Sequence, residues 1–470
     1  MSENGKSPVG LKRAPAIPGT SLCPPLLLYN MMYRPLDFLM EAAEKHELVR
    51  LGWLGVPYYL VTGPDLVKQM LSDTKRFQKG SLFKKLEIVL GKGLITLNGK
   101  AWIDARRRVN QAFDRALMSR QQAIVIRHTT GLLERLKADA SPAYDLDRLM
   151  NDVTIGVAME LLFGATADDI DLDEFRRAVE ICNDYTRYRI WSLVPETWNT
   201  ARRRGFLKAL ATLNAVVASV IERRRQDTRA RRFERCDVLS LLLDAGFDGA
   251  QLRDHVMTML LAGHETTAGA ATFLLGLLSR HPRVQDDLYA ELSVVPEDEV
   301  PLDDLPLTEA AWREALRIYP SVPMLDRKAH TDVRLGDYQI AAGANLIWSP
   351  YVMHRKYFAE PEAFLPDRFL RGMGPKPGTY IPFGEGPRMC IGKALADMEG
   401  KTIVAMLARE FTLEPAAEGP LSVRPLISLR PERGFRVRFH PRQTAGELAQ
   451  SAGCEQRPRQ AMIEAGLHGV

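Results

Sequence analysis

Apolar residues recur at intervals of three and four positions along much of the chain between about residues 100 and 290. The clearest segments are "NDVTIGVAMELLFG", "LKALATLNAVVASVIERR" and "LRDHVMTMLLAGHETTAGAATFLLGLLSRHP". This spacing is typical of α-helices with one buried face, and each segment is long enough for several turns. The chain must therefore fold mainly from long helices.

Two shorter regions follow a different pattern. The stretch from about 47 to 62 is rich in Val, Leu, Tyr and Trp and is interrupted by Gly and Pro, which predicts short strands joined by a tight turn. After residue 330, "DVRLGDYQIAAGANLIWSPYVMHR" predicts strand, turn and strand. A loop rich in Pro and Gly, "RFLRGMGPKPGTYIPFGEG", precedes a last helical segment, "IGKALADMEGKTIVAMLAREF". We expect a mainly α fold with small β-sheets.

The charge balance argues against nucleic acid as a partner. The 63 basic and 58 acidic residues give a net charge of only +5 over 470 residues. Arginines cluster in "RRRQDTRARRFER" (223–235), which we interpret as a solvated surface.

The cysteines and the N-terminus indicate a reducing compartment and no membrane anchor. Cys23, Cys182, Cys236, Cys390 and Cys454 are far apart and form no CxxC pair. The apolar stretch "LCPPLLLYNMMY" is broken by two prolines and is much shorter than the roughly 20 residues that span a membrane. We expect a soluble, cytoplasmic protein.

One cysteine lies in the glycine-rich stretch "FGEGPRMCIGKALA" (383–396), a few residues before the last predicted helix. Free amide groups and the helix dipole there favour a thiolate over a thiol at Cys390. Gly384, Gly386 and Gly392 leave room for a flat partner. A buried, unreactive thiol that only fills space is the alternative. A zinc or disulfide role is disfavoured, because no partner Cys or His lies at metal-ligand spacing.

The order and spacing of Phe383, Gly386, Arg388, Cys390 and Gly392 resemble the haem-binding loop of the cytochrome P450 family. The resemblance implies haem b as cofactor, with the Cys390 thiolate as the axial iron ligand that favours O–O cleavage. It also implies that Arg388 reaches a haem propionate.

A second motif, "LLAGHETTAG" (260–269), places two threonines and a glutamate inside a long apolar helix. One interpretation is that Thr266 and Thr267 bond back to the carbonyls of Ala262 and Gly263 and bend the helix. In the P450 family a similar stretch lies above the haem, which implies that Ala262 contacts the haem and that Glu265 and Thr266 deliver protons. Both interpretations are compatible.

Two further motifs occur in the order found in the P450 family. "WREALRIYP" places Glu314 and Arg317 three residues apart, and with Arg368 of "FLPDRFL" they resemble a buried scaffold triad. In "NGKAWIDARRRVNQAF", Trp102 and Arg106 resemble a pair that lies over the haem propionates, as does Arg327 of "PMLDRKAH".

The resemblance implies a single P450-like domain over residues 30–440, with the haem between the long distal helix and the cysteine loop. An N-terminal segment (1–29) precedes this domain, and a polar tail (441–470) follows it. The implied activity is insertion of one oxygen atom from O2 into a lipophilic molecule such as a terpenoid, steroid, fatty acid or polyketide. Residues 81–94, 185–194 and 321–325, together with Leu261 and Ala262, are the expected substrate walls.

No dinucleotide motif or second redox domain is evident, so we expect a ferredoxin or flavodoxin with its reductase as electron donor. Arg107, Arg108 and Lys393 are candidates for steering an acidic partner. We expect a monomer. The alternatives are a haem-thiolate peroxygenase or isomerase, which has little use for the Glu265 and Thr266 pair, and a non-enzymatic haem protein that senses gas or carries electrons.

Overall fold

The computed structural model confirms the mainly helical prediction. It describes residues 12–15 and 24–442, except for 54, 114–117, 140, 166–170, 193, 196, 199, 232–236, 297–298, 371–373, 426 and 433–434. Most of the predicted N-terminal segment and all but the first two residues of the predicted tail therefore lie outside the described residues. So do Cys23, Cys236 and Cys454.

Helices make up most of the described chain. They are α1 (Pro24–Tyr33), α2 (Pro35–Ala43), α3 (Pro64–Ser72), α4 (Ser81–Leu90), α5 (Gly99–Val109), α6 (Met118–Ala138), α7 (Leu146–Phe163), α8 (Leu172–Trp191), α9 (Ala201–Arg231), α10 (Val238–Asp244), α11 (Gly249–Leu278), α12 (Pro282–Ser293), α13 (Pro306–Ile318), α14 (Pro350–Lys356) and α15 (Lys393–Glu410). Short 3-10 turns include Pro366–Phe369 and Gly386–Arg388.

The strands are short and form four small sheets. They are β1 (Leu48–Trp53), β2 (Pro57–Val61), β3 (Phe77–Lys79), β4 (Tyr144–Asp145), β5 (Leu325–Ala329), β6 (Val333–Leu335), β7 (Tyr338–Ile340), β8 (Asn345–Trp348), β9 (Phe411–Pro415), β10 (Val423–Pro425), β11 (Leu429–Pro431) and β12 (Arg436–Pro441). The largest sheet has the order β1-β2-β8-β5-β3, and in it only β2 and β8 run parallel.

The structure confirms the strands predicted near 47–62 and after residue 330. It differs at "SPYVMHR", where the chain turns into α14 instead of continuing as a strand. The Ser349 hydroxyl accepts a hydrogen bond from the Val352 amide, and Pro350 occupies the first helical position. Both are helix-start signals that the strand prediction overlooked.

The long helix α11 crosses the centre of the molecule and packs against α7, α13 and α15. Its 30 residues, at 1.5 Å each, span about 45 Å. Its second half is buried on nearly all sides, since every side chain from Thr267 to Leu278 is buried. A helix that is apolar all round belongs in a core, which explains why the sequence shows no polar face there.

One helical stretch in the described part of the chain, Ala201–Gln226 within α9, is long and apolar enough to cross a bilayer by length and composition. Its most apolar window is 33% buried against the rest of the protein. The helix packs against α8 and α11. Length and composition alone do not distinguish a membrane-spanning helix from the core helix of a soluble protein.

Glu314, Arg317 and Arg368 form the predicted triad. Arg317 donates from Nε and Nη2 to the two oxygens of Glu314 at 2.7 and 2.9 Å, and both side chains are fully buried. Arg368 Nε adds a bond to Glu314 Oε1 at 3.2 Å. Arg317 also donates to the carbonyls of Pro361 and Ala363. The triad thus fastens α13 to the chain that leads toward the cysteine loop.

His354 of α14 extends this scaffold to the loop itself. Its Nδ1 bonds the Arg317 carbonyl at 2.9 Å, and its Nε2 meets the Ile381 amide at 3.1 Å. An amide only donates, so Nε2 is the acceptor and Nδ1 carries the proton. Burial lowers the pKa of His354 to about 3, which keeps the ring neutral. The neutral ring therefore holds the start of the cysteine loop against α13.

Breaking the triad should cost more stability than breaking an exposed ion pair. We expect Glu314→Gln to lower the free energy of unfolding by about 3 to 5 kcal/mol, because two arginines would lose their buried carboxylate. Urea unfolding measures the change. As a control, Asp173→Asn removes the exposed partner of Arg148 and should cost less than about 1 kcal/mol. Equal losses in the two variants would contradict the scaffold role.

Candidate functional site

The cysteine loop is closed by backbone hydrogen bonds before α15 begins. The Cys390 amide donates to the Phe383 carbonyl at 3.0 Å, and the Met389 amide donates to Gly386 at 3.0 Å. Gly386 has φ of 75°, and a Cβ on it would lie 2.8 Å from the Leu71 carbonyl oxygen. Gly386 is thus required by backbone conformation and by packing against α3, which differs from the predicted role of making room for a flat partner.

Cys390 does not behave as a space-filling cysteine. Its side chain is exposed, whereas Cys182 is buried and its thiol pKa is raised to about 12. Free cysteines that serve packing are among the most buried residues. An accessible sulfur two residues before the N-cap of α15 therefore favours the ligand interpretation.

Two opposing influences act on the pKa of Cys390. Although the sulfur is accessible, the protein packed around it raises the pKa of Cys390. The Gly392 amide and the charges of Arg106 and Lys393 oppose this shift without reversing it. The iron of a bound haem would take the sulfur as a thiolate, since metal binding displaces the thiol proton.

Arginines from three distant parts of the chain converge near the loop, as the sequence predicts. Arg388 donates to the Leu97 carbonyl at 2.9 Å and to Asn98 at 3.0 Å, and it stacks over Trp102 at 4.2 Å. Burial and the charges of Arg327 and Arg106 lower the pKa of Arg388 to about 10. Trp102 is buried, and Arg106 is close enough to Cys390 for each to shift the other's pKa.

Lys79 is a fourth cation in this cluster, and no motif in the sequence indicates it. It lies directly opposite Arg327 in the pairing of β3 with β5 and bonds the Ile95 carbonyl. Burial and the charges of Arg388, Arg327 and Arg106 hold the pKa of Lys79 well below its usual value. We name Lys79, Arg106, Arg327 and Arg388 the cation cluster.

The cation cluster fits a group with two carboxylates. Like charges placed opposite each other in a sheet are destabilising. Asp326, an acidic group that acts on both Lys79 and Arg327, has its own pKa raised to about 6 by burial. The Nε of Arg388 is buried without a hydrogen-bond acceptor in the described part of the chain. Two propionates next to an exposed sulfur would supply both the missing charge and the missing acceptor.

The Thr266 hydroxyl on α11 donates to the Ala262 carbonyl at 2.8 Å, which confirms the predicted back-bond. Because its proton is engaged there, the hydroxyl is left with its lone pairs to accept from a water or ligand. Thr267 differs from the prediction, since it makes no such back-bond within the described residues. Its side chain lies close enough to Glu399 of α15 to lower the pKa of that carboxyl.

Glu265 is held by two residues that the sequence did not single out. Asn183 of α8 and the Ser428 hydroxyl both donate to its Oε1 at 2.8 Å. In the described part of the chain its Oε2 has no protein partner. This oxygen is therefore the one left to bind a water beside Thr266.

Glu399 links the helix that follows Cys390 to the Thr266 segment. It is buried close to the Thr267 side chain, and its Oε1 has no partner within the described residues. Burial raises the pKa of Glu399 to about 8, so the carboxyl is neutral at pH 7. An "ADME" tetrapeptide on a helix gave no sequence signal for this role, because the contact depends on how α11 packs against α15.

A pocket beside this site is lined by residues from three of the predicted substrate walls. Its lining includes Leu82 and Phe83 of α4, Ile190 and Trp191 of α8, and Val322 and Met324 before β5. Val322 follows Ser321, whose hydroxyl donates to the Thr266 carbonyl at 2.9 Å. One lining residue of the pocket is therefore next in sequence to a residue that contacts α11 at Thr266.

Removing the proton-binding side chain at 399 should change how stability depends on pH. Unfolded glutamate ionises near its ordinary value, whereas folded Glu399 keeps its proton up to about pH 8. The wild type therefore loses stability as pH rises between these values. We expect Glu399→Gln to reduce that slope by up to about 1.4 kcal/mol per pH unit.

Urea unfolding from pH 5 to 8 measures the slope. Glu87→Gln, at an exposed position on α4, serves as the control and should follow the wild type. Identical slopes for Glu399→Gln and the wild type would contradict a buried, protonated Glu399.

We expect Lys79 to slow the release of a bound group that carries two negative charges. We expect Lys79→Met to release haem about tenfold faster or more, since a charge-assisted hydrogen bond is lost. Transfer of haem to apomyoglobin measures the rate. Lys84→Met, exposed on α4, should release haem like the wild type. An unchanged rate in Lys79→Met would exclude Lys79 from the binding site.

Comparison with known proteins agrees with this geometry. The family model described as Cytochrome P450 matches residues 18–439. Cyclooctat-9-en-7-ol 5-monooxygenase of Streptomyces melanosporofaciens is 31% identical over 83% of this chain and 88% of its own length. Cytochrome P450 4c21 of Blattella germanica is 28% identical over 85% of this chain and 86% of its own. Cytochrome P450 4V2 of Homo sapiens is 28% identical over 91% and 90%. The chain belongs to the cytochrome P450 family: it is a haem-dependent monooxygenase.

Proposed function

We propose that this monooxygenase uses Cys390 as the axial thiolate of haem b and inserts one atom of O2 into a lipophilic molecule. The observation that carries the proposal is the pairing of an exposed Cys390 before α15 with the Glu265 and Thr266 pair on α11. Helix α15, which follows Cys390, packs directly against α11. When bound, thiolate-ligated haem supplies the oxygen-activating chemistry.

The chain's own groups would bind the cofactor, orient it and supply protons. The cation cluster neutralises the two propionates, and Trp102 supports Arg388 through the cation–π contact. Phe383 lies beside the start of the cysteine loop, Gly392 donates its amide toward the sulfur, and Ala262 leaves a small surface on α11. A water bound by the Glu265 Oε2 would be the proton source. The Thr266 hydroxyl, whose own proton bonds the Ala262 carbonyl, would orient this water by accepting a hydrogen bond from it.

Substrate and electrons come from outside this chain. The apolar pocket walls support a lipophilic substrate of the terpenoid, steroid, fatty acid or polyketide type, and the Streptomyces relative is named for oxidising cyclooctat-9-en-7-ol. A ferredoxin or flavodoxin with its reductase would deliver electrons near the cysteine loop. Of the three basic residues suggested there, Arg108 bonds the Ala245 carbonyl and Lys393 pairs with Asp397, which leaves the exposed Arg107 as the steering charge.

We also propose that the protein works as a cytoplasmic monomer without a membrane anchor. The packing of α9 against α8 and α11 supports this proposal. Fractionation of cells that express the full chain tests this proposal: recovery in the membrane pellet would contradict it.

The Glu265 and Thr266 pair favours a monooxygenase over a peroxygenase or an isomerase, which have little use for such a pair. Turnover that depends on NADH, with added ferredoxin and reductase, distinguishes the monooxygenase from a haem sensor. The Thr266 side chain therefore gives the test of the proposed function. We expect Thr266→Ala to bind haem and consume NADH with added ferredoxin and reductase, yet to form less product per NADH and more peroxide.

The same helix offers a matched control. The Thr272 hydroxyl makes an equivalent bond to the Ala268 carbonyl at 2.8 Å, so Thr272→Ala removes the same helix-bending interaction elsewhere. We expect Thr272→Ala to keep the wild-type product yield, and Thr266→Ser to restore most of it. A normal yield in Thr266→Ala would remove the assigned role.

A further inference from the structure

Arg187 places a cation in a pocket whose other lining is almost entirely apolar. It lies on α8, one turn before Ile190 and Trp191, and faces the same pocket as Met31 and Pro35. Only half-buried, it sits where the pocket meets α1 and α2. A charge among apolar walls is costly unless something compensates it.

The protein compensates only part of this charge. The Nη1 of Arg187 donates to the Met32 carbonyl at 3.2 Å. Its Nε is buried and has no acceptor, and within the described residues no carboxylate pairs with it. Asp184, one turn earlier on α8, accepts from Arg424 at 2.6 Å instead. The edge of the guanidinium formed by Nε and Nη2 is therefore unpaired.

The same guanidinium edge, formed by Nε and Nη2, binds a carboxylate elsewhere in this protein. In the buried triad, Arg317 holds Glu314 through Nε and Nη2 at 2.7 and 2.9 Å. A planar anion at Arg187 would make the same two parallel bonds. The unpaired edge thus has the shape and charge for a carboxylate.

Two other lining residues of the pocket are next in sequence to residues that contact the proposed catalytic pair. Val322 follows Ser321, which bonds the Thr266 carbonyl, and Ile427 precedes Ser428, which bonds Glu265. A molecule anchored at Arg187 would thus lay its apolar part along Val322 and Ile427 toward Thr266. We propose that the substrate is a lipophilic carboxylic acid, with its carboxylate bound by the Nε and Nη2 edge of Arg187 and oxidation directed at its apolar part. This inference rests on the proposed function and narrows its substrate class.

Equilibrium binding to the haem-loaded protein tests the inference. The probes are dodecanoate and abietate, a straight-chain and a tricyclic acid, each compared with its methyl ester by calorimetry and by the ferric spin-state shift. We expect at least one acid to bind about ten to a hundred times more tightly than its ester. Which acid is preferred then distinguishes a fatty acid from a terpenoid acid.

Variants assign the preference to Arg187. We expect Arg187→Ala to remove the advantage of the acid while leaving ester binding unchanged, and Arg187→Lys to keep part of it, because charge remains without the two-pronged geometry. Arg177→Ala, at an exposed position on the same helix, should behave like the wild type.

Equal binding of both acids and their esters to the wild type would overturn the inference. So would a loss in Arg187→Ala that affects acid and ester alike, since that indicates a structural role. Calorimetry registers binding whatever the iron ligand is, so these outcomes concern the substrate class alone. Failure of the proposed function would instead appear as an unchanged product yield in Thr266→Ala.

Discussion

Four positive side chains share one small region of the protein interior, and much of the surrounding structure depends on how their charge is balanced. Lys79 and Arg327 face each other across two strands, while Arg106 and Arg388 approach from α5 and the cysteine loop. Their repulsion and burial depress the pKa values of Lys79 and Arg388. An anion that joined this arrangement would stabilise it, and the two propionates of a haem would supply negative charge there.

Hydrogen bonds around this region hold the neighbouring helices and the cysteine loop in fixed positions. The triad of Glu314, Arg317 and Arg368 and the neutral ring of His354 connect α13 to the start of the cysteine loop. On the other side, Glu399 of α15 lies close to Thr267 of α11. A side chain on α8, Asn183, reaches Glu265, so the helix that lines the pocket also positions the acid.

Much of the fold could be predicted from the sequence because its signals are local. Helical periodicity located α11 and α15. Fixed spacing within motifs identified the pair Cys390 and Arg388 and the pair Glu314 and Arg317. The signals failed where contacts join distant segments. Lys79 becomes part of the cation cluster only through the register of β3 with β5, and Glu399 only through helix packing. The sequence also could not show that burial outweighs the loop amides in setting the pKa of Cys390.

The central claim is that the Cys390 sulfur binds the haem iron, and X-ray absorption at the iron edge tests it most directly. For the haem-loaded wild-type chain we expect one sulfur atom bound to iron beside the four porphyrin nitrogens. Cys390→Ser should lose that sulfur signal. An iron in the wild type surrounded only by nitrogen and oxygen, or a sulfur that persists in Cys390→Ser, would contradict the account.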